Sequence, residues 1–242
     1  MTCRRLKFRL CIWGCVLLSC GLAIGATGSS TANILVALSD TDAAPIPPDP
    51  ALENLLRGVE NKYNRVKTLR LHFQQIYSQD QQVLREEAGT LFLRKPGQMR
   101  WEYENPEHKL FLTDGHHVTL YIPEEKRVTE TTVSSSDDLR SPMRFLLGGL
   151  KFRKEFEKIE RVPGPPLDSG DIAFNAVPKQ MKDRLEAVML EVSPQFQIRR
   201  MILKEPGGIQ TEFRFDSEAS DIPLSPELFH FQPPEGTEVI RQ

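Results

Sequence analysis

Cysteine is almost missing from this chain. All four, Cys3, Cys11, Cys15 and Cys20, lie in its first twenty residues, so no disulfide braces the remaining residues and the fold must stand on its own core. Catalytic signatures are missing as well: there is no G-x-S-x-G elbow, no HExxH pair and no phosphate-cradling glycine loop. His116 and His117 are neighbours and point to opposite faces of a strand, while His72, His108 and His230 have no partner at metal-ligand spacing. A carboxylate pair assembled only by folding would leave no local motif. The reading is nonetheless of a protein that is not an enzyme and needs no metal or cofactor. Positive charge is not in excess either, with 31 Lys plus Arg against 33 Asp plus Glu and a net charge of −2.

The cations that are present crowd the start. Arg4, Arg5, Lys7 and Arg9 precede a run from residue 10 to 24 that is apolar or small, the pattern of a secretory signal peptide over residues 1–26. Fifteen residues interrupted by Gly14 and Gly21 are short for a membrane anchor. Without this leader Lys plus Arg falls from 31 to 27 against 33 acids, so the net charge moves from −2 to −6. An acidic body argues against nucleic acid as a partner and gives no support for an anionic membrane surface. Leu17-Leu18-Ser19-Cys20 also resembles a lipobox, in which the cysteine becomes the lipidated N-terminus. Ordinary cleavage near Ala26 would instead release an exported protein without that lipid, and is the reading preferred here.

Residues 27–48, rich in Ser, Thr, Ala, Asp and Pro, read as a flexible lead-in, and residues 49–242 as one domain. Asp49 and Pro50 open a helix with Leu52, Leu55, Leu56, Val59 and Tyr63 at helical spacing. After Thr68 the period changes to two. Alternating runs at 69–75, 83–94, 98–104, 109–113, 118–122 and 127–133 are separated by turn residues, among them the hairpin signal Asp114-Gly115. A capping cluster, a short apolar helix and Gly148-Gly149 interrupt the pattern, and residues 152–159 suggest a second short helix. Strands resume at 172–178, 184–192, 196–204 and 209–216. About ten antiparallel strands joined by tight turns make one sheet that curls toward a barrel, with helices against its greasy face.

Several pieces, in this order and spacing, resemble the periplasmic outer-membrane lipoprotein carrier family (LolA-like). They are GTLFLRKPGQMRWEYENP, LTDGHHVTLYIPEEKRV, SPMRFLLGG, LEAVMLEVS with FQIRRMILKEPGG, and FRFD followed by FHFQPPEGTEVI. The resemblance implies a mainly β fold with a few helices, an open (incomplete) antiparallel barrel of about 10–11 strands under a helical lid. It also implies a monomer that carries acylated lipoproteins from an inner-membrane lipoprotein-releasing ABC transporter to an outer-membrane receptor. A receptor of the same fold fixed in the outer membrane by a lipidated Cys20, or a carrier of another amphiphilic lipid, fits the same patterning. Family members place Arg before the Pro of the R-P-G turn as a lid latch, and here that residue is Lys95, which lacks the planar fork.

Met99, Trp101 and Tyr103 share one face of a strand. With Phe92 they are the expected lipid-binding cavity wall, and Met143, Phe145, Leu146 and Leu147 are the expected lid. Plain core is the competing reading for each of the eight, because Met and aromatic residues fill ordinary interiors as readily.

Overall fold

In the computed structural model the described residues are 49–132, 149–164, 166, 168–180 and 182–241. The residues read as leader (1–26) and lead-in (27–48), and Met143, Phe145, Leu146 and Leu147, expected to form a lid, lie outside them. The described residues fall within one compact unit, Pro47–Gln242.

The first element is helix α1 (Pro50–Arg65). Asp49 caps it, its Oδ1 accepting from the amides of Ala51 at 2.9 Å and Leu52 at 3.2 Å, and Pro50 occupies a position that needs no donor. Leu52, Leu55, Leu56, Val59 and Tyr63 are its buried stripe, the same five that helical spacing picks out.

Twelve strands follow among the described residues, in one open sheet that does not close on itself. They are β1 (Thr68–Gln79), β2 (Gln82–Arg94), β3 (Gln98–Asn105), β4 (Lys109–Thr113), β5 (His117–Ile122) and β6 (Arg127–Thr132), then β7 (Phe156–Arg161), β8 (Ile172–Pro178), β9 (Ala187–Val192), β10 (Ile198–Glu205), β11 (Ile209–Ser220) and β12 (Glu238–Arg241). The order is β12-β6-β5-β4-β3-β2-β1-β11-β10-β9-β8-β7. Every pairing is antiparallel except β12 on β6. Two meanders thus meet where β1 pairs with β11.

Two strands were not expected. Helix α2 is only Phe152–Glu155, and the chain turns directly into β7 where the sequence suggests that the helix continues. Phe152, Phe156 and Ile159 are all buried, and their spacing suits a helix as well as it suits the observed turn and strand. The C-terminal stretch, read as merely extended, supplies β12, which covers the open edge of β6.

The sheet has an inner face, under α1 and α2, and an outer face. Leu69, Leu71 and Phe73 of β1 point inward, each 1% exposed, while Arg70, His72 and Gln74 point out. On the other meander Phe174, Val188, Leu190, Met201 and Leu203 complete the inner core. Phe152 meets Phe174 edge-on at 5.6 Å, seating α2 on that face.

Candidate functional site

The strand register decides which side chains share the inner face. Leu91 pairs with Trp101 and Leu93 with Met99, so these four lie on one side of the sheet. Phe73 follows in β1, and Phe213 and Phe215 in β11. Their rings form a continuous wall. Phe73 meets Trp101 at 4.7 Å and Tyr103 at 5.0 Å, both edge-on, Trp101 reaches Phe213 at 5.8 Å, and Phe213 stacks on Phe215 at 6.0 Å. Contacts of this kind add about 0.5–1.5 kcal/mol each beyond area burial.

Polar atoms within the wall are answered inside it. The Trp101 indole N–H donates to the Met99 sulfur at 2.7 Å, and the Tyr103 hydroxyl donates to Gln75 Oε1 at 3.1 Å. An apolar guest on this wall would therefore meet neither an orphan indole nor an orphan phenol donor, and such orphans are costly to bury. The wall is covered in this structure, with Phe73 at 1%, Met99 at 3% and Trp101 at 4% exposure.

Gly89 makes the wall possible. It lies on β2 between Phe73 and Tyr103, where the β2–β3 register shifts. A Cβ built there would fall 1.8 Å from the backbone carbonyl oxygen of Glu102. No side chain fits, and the neighbouring rings close over the gap. The sequence shows this glycine as the first letter of GTLFLRKPG but gives no sign of why it is needed.

Met99, Trp101 and Tyr103 are thus together on the inner face. Phe92 is not. It pairs with Arg100 and points outward, on the side that carries Leu112. The expectation failed because Leu91-Phe92-Leu93 is apolar at every position, so alternation alone could not choose its face. Phe73, Phe213 and Phe215 were left out of the expected wall, although alternation in LRLHF and FRFD marks them as a strand face.

Lys95 holds α1. Its Nζ donates to the Tyr63 carbonyl, in the last turn of the helix. That carbonyl has lost its usual donor, because the amide of Lys67 goes instead to Asp221 Oδ1 at 2.8 Å. Partial burial lowers the pKa of Lys95, and the nearby Asp221 opposes the shift. Side chains make the other ties of α1. The Tyr63 hydroxyl donates to Glu218 at 2.6 Å and accepts from the amide of Ile198 at 3.0 Å, and Asn64 both donates to and accepts from the backbone of Leu150 at 3.0 Å. Burial first, and then Glu218, raises the pKa of the Tyr63 phenol well above its ordinary value, so it serves as a neutral donor. No cluster of three metal-ligating side chains occurs among the described residues.

The family model described as outer membrane lipoprotein carrier protein LolA matches residues 64–232. The chain belongs to this family. It is 28% identical to the outer-membrane lipoprotein carrier protein of Nitrosomonas europaea, over 80% of this chain and 92% of that one. With the protein of the same name from Hahella chejuensis it shares 31% identity, over 79% of this chain and 87% of the other. An uncharacterized conserved protein from Thermus thermophilus superposes with a TM-score of 0.51 at 11% identity, covering 79% of this chain and 99% of that structure. At that identity the likeness concerns the fold alone. The LolA family thus supplies the fold that the sequence resemblance implied, mainly β and open.

Proposed function

We propose that this protein is a periplasmic carrier that takes up the acyl chains of lipoproteins on its inner aromatic wall, between an inner-membrane ABC transporter and an outer-membrane receptor. One observation carries the reading: five rings and Met99 form an unbroken apolar surface that no catalytic or metal-binding group interrupts among the described residues. Acyl chains need apolar area rather than hydrogen bonds. Each buried methylene is worth about 0.8 kcal/mol, so one long chain offers on the order of 10 kcal/mol against water.

Because the wall is covered, loading must exchange one cover for another. The net free energy is then the difference between protein-on-wall and lipid-on-wall, and a gap of a few kcal/mol makes hand-over to a greasier acceptor downhill. Lys95 on the α1 carbonyl, and the lid expected at Met143, Phe145, Leu146 and Leu147, are the parts assigned to that exchange.

The test is binding of a purified acylated lipoprotein, followed by native mass or gel filtration. Trp101→Asp, with folding checked by circular dichroism, is expected to lose the complex. Undiminished binding by the folded variant refutes the reading.

A further inference from the structure

The inner face changes character along its strands. Near the C-terminal turn of α1 it carries Leu69, Leu93 and Met99. At the far end successive strands from β10 to β4 present Glu205, Thr211, Gln75, Glu87, Tyr103 and Lys109, all on the inward parity fixed by the register. Four of these groups are interlinked. Lys109 pairs with Glu87 and sits 4.1 Å above the Tyr103 ring, which in turn donates to Gln75. Glu205 is different. Its Oε1 is buried with no hydrogen-bond partner among the described residues. Burial raises the Glu205 pKa to about 7, so near neutrality much of it is a protonated carboxyl able to donate.

We infer that this polar end seats the head of the acylated ligand, so that the ester and amide carbonyls face Tyr103, Lys109 and Glu205 while the tails run past Phe73 and Trp101 toward Met99 and Leu93. The inference rests on the carrier reading above and adds a direction to it. Carbonyl acceptors fit because Lys109 uses one of its N–H donors on Glu87 and keeps others. A free fatty acid or phosphate fits less well, since Arg85 and Lys109 are balanced by Glu87 and Glu107 and leave no net positive charge. The end also reaches water, with the Lys109 side chain 22% exposed, so a protein attached to the head could stay outside.

Two dipalmitoyl lipopeptides test this on the full-length mature protein, one with a diazirine beside the glyceryl-cysteine and one with it at the acyl terminus. After irradiation, adducts are located by tandem mass spectrometry, with unlabelled lipopeptide as competitor. The head probe is expected to label residues 103–109 and 203–211, and the tail probe Leu69, Leu93 or Met99, each by at least tenfold over the opposite end. Lys109→Met is expected to weaken lipopeptide binding about tenfold while leaving binding of a plain alkyl probe unchanged. Reversed or mixed labelling overturns the direction while lipid binding itself stands. Loss of all competable labelling from both probes overturns the carrier reading, and the seat with it.

Discussion

Strands β2 to β6 have apolar side chains on both faces, and the two faces are closed by different means. The outer face carries Phe92, Leu110, Leu112 and Val128, and β3 there contacts the C-terminal segment, whose Phe229 is fully buried. That segment is held by a backbone ladder as well as by a side chain. Arg100 Nη1 donates to the Leu228 carbonyl at 3.0 Å, β12 pairs in parallel with β6, and the amide of Glu238 donates to the Lys126 carbonyl at 2.8 Å. Tyr121 and Phe231 add a ring contact at 5.0 Å. On the inner face α1 shares no strand ladder with the sheet, and among the described residues its ties all involve a side chain. A ladder must be broken bond by bond, whereas side-chain ties release when a helix shifts by one rotamer set. On the proposed carrier function, the outer face is the permanent seam and the inner face is the one that exchanges its cover.

The sharpest break in that comparison comes from truncating one aromatic on each side. Phe229→Ala is expected to cost about 3–5 kcal/mol of unfolding free energy, as large core truncations do, with lipoprotein affinity of the folded fraction unchanged. Trp101→Ala should also destabilise, but its affinity should drop at least tenfold. Urea unfolding and a binding titration on both variants separate the two. If Phe229→Ala lowers affinity as much as Trp101→Ala does, the seam is part of the binding apparatus and the division of labour is wrong.

Gly89→Ala attacks the inner wall without removing any ring. Its Cβ would displace the Glu102 carbonyl and with it the β2–β3 ladder. A loss of about 3 kcal/mol is expected, at the upper end of overpacking costs. A stability within about 0.5 kcal/mol of wild type, the range of neutral substitutions, would mean the register shift there relaxes freely.

Glu205 probes the polar end of the same face, through pH. Its folded pKa, about 7 against an ordinary 4.5, means the folded protein holds an extra proton between those values. Stability should therefore fall as pH rises from 4.5 to 7 and level off above. Glu205→Gln removes that slope. It should match wild type near pH 4.5 and exceed it above pH 7 by about 1–2 kcal/mol, after discounting for partial solvent exposure. Denaturant midpoints at about pH 5 and about pH 8 check both the sign and the size.

How far these faces were legible in the sequence follows from periodicity. MRWEYE alternates cleanly, so the shared face of Met99, Trp101 and Tyr103 could be read directly, and the α1 stripe was equally plain. Leu91-Phe92-Leu93 does not alternate because the inner face is buried and the outer face half-buried there, and only pairing with β3 assigns Phe92 to the outer seam. β12 escaped notice for a related reason. Its side chains are only half covered, and it is defined by its pairing with β6 across more than a hundred residues of chain. Nor could the polar end be foreseen, because Gln75, Glu87 and Lys109 come together, and Glu205 joins their face, only once the sheet order and register are fixed.

The smallest expected effect lies at the junction between wall and cover. Lys95→Ala removes one charged donor from a helix C-terminal carbonyl, worth about 1 kcal/mol. If α1 must shift for lipid to enter, that same contribution of about 1 kcal/mol stabilises the closed state, and its loss should raise apparent affinity roughly fivefold while lowering stability. Lys95→Arg keeps the charge and adds donors, so it should restore stability and return affinity to the wild-type value or below it. Opposite signs in stability and affinity are what distinguish a latch from an ordinary cap. A Lys95→Ala protein that loses stability with no gain in affinity would place Lys95 among the plain structural contacts of α1 and move the exchange of cover elsewhere on the inner face.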